Sequence, residues 1–240
     1  MIASPRKSEG ISLHNVVLQF GLMSVIFYLW SSPIMQPAKI MVVLFHEMSH
    51  GLMAIVTGGK VVSIEIRADE GGACETEGGM PLFIVSAGYL GSMFFGGLIL
   101  YLSRFRDFVP LVYGMLTLVI ISAVVTVLSG SYSKTFCVVL AALFILGGFL
   151  TPVALGGLML RVIGTVSCLY SIFDIYWDIL ANHGAQAIQN DAVVFAALSG
   201  VSAQSVGMIW LVAAVCFFLV VLRQTLRAGP PEVRQQGAMA

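Results

Sequence analysis

The sequence predicts an all-α polytopic membrane protein of about six or seven transmembrane helices, with one small β-hairpin at the membrane surface. Three observations predict it. Of the 240 residues, 58% are hydrophobic and only 10% charged, which is not the balance of a soluble globular domain. The charged residues gather between long apolar runs and at the two ends of the chain. Most of those runs approach the length of about 20 residues that crosses a hydrocarbon core. The formal net charge is zero, so no basic surface points to nucleic acid. Cys74, Cys137, Cys168 and Cys216 lie far apart, and all but Cys74 fall in apolar runs, which predicts neither a disulfide framework nor a zinc finger.

In chain order, a tail over residues 1–15 precedes a first span at 16–35. Arg6 and Lys7 before that run resemble a signal sequence, but Trp30-Ser31-Ser32-Pro33 does not read as a cleavage site, so the span is expected to stay. The second span is expected at 39–57, closed by Gly58-Gly59. Residues 58–80 then read as the hairpin. Ser63-Ile64-Glu65-Ile66-Arg67 alternates polar and apolar, and paired glycines at 71–72 and 78–79 bracket a returning strand. The strand edge around Ile64 is expected to accept an extended peptide by strand addition.

The third span, 81–103, carries Gly88, Ser92 and Gly96 at four-residue intervals, a stripe that lets helices approach closely. It is expected to pack beside the second span. A fourth span is expected at 110–128 and a fifth at 135–157, kinked by Pro152. Arg161 suits an interface better than a bilayer centre, which starts the sixth span at 162–180. Residues 181–205 read as a polar stretch in which Asn190-Asp191 caps a helix. A last span at 206–222 and a disordered tail at 227–240 complete a single membrane-embedded domain over 16–226.

The chemistry is concentrated in the second span, at His46-Glu47-Met48-Ser49-His50. Helix residues four apart share a face, so both imidazoles can reach one ion. Glu47 follows the first imidazole, where a carboxylate can take a proton from a metal-bound water. Charged groups in membrane helices cost about 2.5–3.5 kcal/mol each on insertion scales, so an offsetting metal is expected. A third ligand is needed, and Asp174 and Asp178 share a face of the sixth span. At about 1.5 Å per residue, His46 and His50 lie roughly 10 and 16 Å in from Lys39, while Asp174 and Asp178 lie roughly 20 and 25 Å in from Arg161. Asp174 is the nearer in depth; Asp178 is the alternative ligand, or a group that orients a histidine. His14 and His183 read as ordinary loop imidazoles.

With these residues in hand, the chain resembles the M50 intramembrane zinc metalloproteases, the site-2 protease class, and within them the M50B-like branch. The resemblance is carried by Phe45 to Gly51, by the strand entry Thr57-Gly58-Gly59-Lys60-Val61, by Ser86-Ala87-Gly88-Tyr89-Leu90-Gly91-Ser92 and by Tyr170 to Asp178. It implies a Zn²⁺ held in the bilayer by His46, His50 and Asp174, Glu47 as catalytic base, and transmembrane protein substrates. Ile64, Ser86 and Gly88 are the candidate substrate contacts. The sequence departs from the family pattern in having Phe173-Asp174-Ile175 where Leu-Asp-Gly is usual, and in leaving no room for a PDZ domain. Two other readings compete: a non-catalytic subunit acting as scaffold or assembly factor in a membrane complex, and a metal transporter.

Overall fold

The computed structural model describes residues 10–181 and 190–227. The expected tails fall largely outside the described residues, as does His183. Helix α1 (Leu13–Leu29) opens at Ser12, whose hydroxyl accepts from the Asn15 N–H. A 3₁₀ turn at Pro33–Met35 leads into α2 (Gln36–Val56), with Pro37 in its first turn, where a missing N–H leaves no bond unmade. Gly58, at φ 88°, supplies the left-handed residue that ends α2 and turns the chain into the sheet.

Strands β1 (Lys60–Ile66) and β2 (Gly72–Glu77) form the expected antiparallel hairpin. Ile64 stands opposite Cys74 and Ile66 opposite Gly72, with an irregularity between Val61 and Ser63. The hairpin runs back along α2. Side chains of Val61, Ile64 and Cys74 surround Gly51. At the tip, Lys39 pairs with Glu70 at 3.3 Å, and the Gln36 amide donates to Ala68 O at 2.7 Å. The reason is rise per residue: strands climb about 3.3 Å per residue and helices about 1.5 Å, so a short hairpin covers most of α2.

The remaining helices are α3 (Pro81–Leu102), α4 (Val109–Thr126), α5 (Ser131–Leu150), α6 (Val153–Asp174), α7 (Asp191–Ser199) and α8 (Ala203–Thr225). Among the described residues six helices are long and apolar enough to cross a membrane; α1 is shorter. Helix α3 is the hub, packed on α2, α6, α7 and α8. Its small residues divide the work. Gly88 and Gly91 face α2, while Ser92 and Gly96 face α6, where the Ser167 hydroxyl donates to Ser92 O at 3.0 Å.

The fifth and sixth spans begin and end elsewhere than expected. Pro152 does not kink one helix; α5 stops at Leu150 and Pro152 stands immediately before α6. A residue with fixed φ and no N–H suits the start of a helix better than its interior. Arg161 therefore lies well inside α6 and is only 7% exposed. Asp174 becomes the last residue of α6, roughly 30 Å along it at the α-helical rise.

The turn between α4 and α5 folds over the outer edge of β1. Ile64 N–H donates to Val127 O at 2.9 Å, and Ser129 N–H donates to Ile64 O at 2.8 Å. Ile66 N–H donates to the Ser133 hydroxyl at 3.0 Å, which donates back to Ile66 O at 3.1 Å. The β1 edge is thus closed, and Ile64 has no backbone group left for a peptide. This corrects the expectation of strand addition there. Because Ile64 and Ile66 turn outward, their opposite numbers Cys74 and Gly72 also turn outward, on the other side of the ribbon. Among the described residues the open edge belongs to β2.

Candidate metal centre

His46 and His50 stand one turn apart on α2, on the face turned toward α3 and α7. Their rings meet edge to face at 4.7 Å between centroids. The carboxylate that faces them is that of Asp191, the first residue of α7. Its Oδ2 lies 3.0 Å from His46 Nε2 and 3.3 Å from His50 Nε2.

Hydrogen-bond accounting fixes the protons. His50 Nδ1 lies 2.7 Å from Ile84 O, and a carbonyl only accepts, so Nδ1 carries the hydrogen. In the neutral ring Nε2 then presents a lone pair toward Asp191. Asp191 Oδ2 is buried, and among the described residues no N–H or O–H donates to it in good geometry. Two acceptors facing each other across 3.3 Å call for a proton or a metal cation between them. Ligand atoms about 2.0–2.1 Å from a tetrahedral zinc stand about 3.3 Å apart, which matches the observed separations. The donor set fits a divalent metal.

The surroundings leave room for one. Gly88 of α3 lies directly against the site, and a Cβ there would collide with Nε2 of both histidines. Gly88→Ala is accordingly expected to weaken metal binding by about 10–100-fold, the range for disturbed ligand orientation. Metal content of the folded protein would check it, with Gly114→Ala, whose Cβ meets nothing within 4 Å, as the neutral comparison. Normal metal content in Gly88→Ala would contradict the cradle.

Asp191 is carried to the site by an aromatic chain. His46 packs on Tyr89 at 4.7 Å, Tyr89 on Trp210 of α8 at 5.7 Å, and Trp210 on Phe195 of α7 at 5.8 Å. Asn190 caps α7 by accepting from Val193 N–H at 3.1 Å. The N-cap expected from Asn190-Asp191 is therefore present. What the sequence did not disclose is that the next side chain faces two histidines, because an acid in a helix's first turn already has a local explanation.

Glu47 is 7% exposed and its carboxylate lies over Gly72, where a Cβ would collide with Oε1. Cys74, two residues on in β2, is pushed up to about 12 by burial, with the Glu47 carboxylate adding to the rise. Its thiol stays protonated at neutral pH. Among the described residues His46, His50 and Asp191 form the one group of such side chains gathered closely enough for an ion. Asp174 is not part of it, and the Asp178 side chain lies outside the described residues. The Ser86 hydroxyl donates to Leu82 O at 2.7 Å, within its own helix.

Helices long enough to span a bilayer, closing around a histidine–histidine–aspartate donor set, define an integral multi-pass membrane protein with a metal-type centre. The family model described as Peptidase M50B-like matches residues 20–221. The chain belongs to that family of membrane metallopeptidases. Neither the curated proteins nor the solved structures gave a match.

Proposed function

We propose that this protein is an intramembrane zinc endopeptidase that cleaves membrane-embedded helical segments of other proteins. His46, His50 and Asp191 are the proposed ligands, with Asp191 in the place first given to Asp174. Glu47 is the proposed general base. One observation carries the reading: ring nitrogens of His46 and His50 and a carboxylate oxygen of Asp191 gather within 4.8 Å of one another, and Glu47 follows His46 on the same helix.

Zinc held there supplies Lewis-acid polarisation of a carbonyl and acidifies water. The remaining work falls to the chain. Glu47 takes a proton from the attacking water and delivers it to the leaving amide nitrogen. The substrate must first unwind, because amides in a membrane helix are bonded internally. Unwound backbone then needs new partners. The outward N–H and C=O groups of Gly72 and Cys74 provide them, beside Glu47. An open sheet edge within the depth of a membrane helix is tolerated only against water or another strand. That edge of β2 is the proposed substrate platform, replacing Ile64 of β1.

In proteoliposomes containing a single-span substrate, cleavage is expected with the metal-loaded protein, to cease after chelation, and to return with added Zn²⁺. Cleavage that persists in fully stripped protein would end the zinc reading. Stoichiometric zinc without cleavage of any tested span would favour the scaffold alternative.

A further inference from the structure

A second polar site lies far from the histidines. From Gly88 to Ser103 along α3 is about 22 Å at the α-helical rise. There a cavity of about 190 Å³ opens between α1, the end of α3 and the first half of α6. Arg104, Arg106 and Arg161 line it together with Asn15 and Ser103, and among the described residues neither an aspartate nor a glutamate does.

Arg161 makes this more than a basic surface. It is nine-tenths buried, at 7% exposure, and it lines the cavity. Among the described residues no hydrogen bond or ion pair engages its guanidinium, whereas Arg104 and Arg106 have partners of their own. Arginine does not lose its proton in proteins, so this charge cannot be removed by neutralisation. A buried, unmatched cation is costly, and an anion in the cavity would match it.

We propose that this cavity binds a phosphate group, carried by the headgroup of an anionic membrane phospholipid. Planar guanidinium forks suit the paired oxygens of a phosphate. The level also fits. One span ends at Leu102, the next begins at Arg106 and another begins at Val153, so the cavity opens where lipid headgroups lie. Leu18, Val109 and Leu158 in the same wall offer apolar contact to the lipid beneath its phosphate. The reading does not depend on the peptidase proposal, because none of these residues touches the metal centre.

The test uses the full chain in detergent, titrated separately with phosphatidylglycerol, phosphatidylcholine and inorganic phosphate, read by native mass spectrometry and by thermal unfolding. One phosphatidylglycerol is expected to be retained and to raise the Tm, with about tenfold weaker binding or worse in Arg161→Gln, the loss of one charge-assisted contact. Arg106→Gln is expected to weaken it likewise, and Lys134→Gln, on the exposed start of α5, to leave it unchanged. Protection by inorganic phosphate alone, equally sensitive to Arg161, would keep the phosphate site but assign it a soluble ligand. Should Arg161→Gln prove too unstable, Arg161→Met replaces it: without a bound anion, removing an unmatched buried charge stabilises. An Arg161 variant that binds phosphatidylglycerol as the wild type does would overturn the proposal. So would an Arg161→Met protein that is less stable in the absence of lipid, since that means an acid of the chain itself already pairs with Arg161.

Discussion

Replacing Glu47 with glutamine is expected to abolish peptide cleavage while leaving stoichiometric metal in place. The exchange conserves volume, so the close approach to Gly72 is kept. It removes the one property the proposed mechanism needs, a carboxylate able to take a proton from water and return it to the amide nitrogen. General acid–base groups contribute about 10²–10⁴-fold to rate, enough to separate detectable from undetectable product. Metal content should be measured on the same preparation. Cleavage at the wild-type rate would remove Glu47 from the mechanism, and loss of metal would make it a ligand instead.

The second large effect separates two aspartates. Asp191→Asn is expected to release the metal, and Asp174→Asn to retain it. Asn190 provides the cap of α7 and is untouched by the exchange, so the helix should survive it. Metal loss would then report a missing ligand rather than a lost helix. The expected drop in affinity exceeds the roughly 10–100-fold typical of residues that only orient a ligand. Asp174 ends α6 and is not among the side chains gathered at the histidines. The opposite result, metal lost with Asp174 and kept with Asp191, would return the third ligand to the sixth span.

Much of this molecule is legible in its sequence, for physical reasons that also mark where legibility stops. His46 and His50 declare themselves because a four-residue spacing on a helix is a local property, and the apolar flanks make their presence costly. The hairpin declares itself through period-two alternation between paired glycines. Asp191 does not, since it reaches the histidines only through the packing of α7 on α3 and the contacts from Tyr89 to Trp210 to Phe195. The depth argument for Asp174 failed on one residue. Arg161 marks the interface in that argument, whereas α6 begins at Val153, so Asp174 lies roughly 12 Å farther along the helix at about 1.5 Å per residue. The edge at Ile64 failed for a different reason: its closure by Val127, Ser129 and Ser133 joins segments that are distant in sequence.

The position of Asp191 also sets a timetable for biosynthesis. Both imidazoles belong to an early helix, whereas the acid that completes the trio is translated in the final quarter of the chain, together with α8 that braces it. A nascent polypeptide therefore carries only an incomplete donor pair while most of its spans enter the bilayer. On the proposed reading, the capacity to hold an ion arrives only once α7 has followed α3 to α6 out of the ribosome.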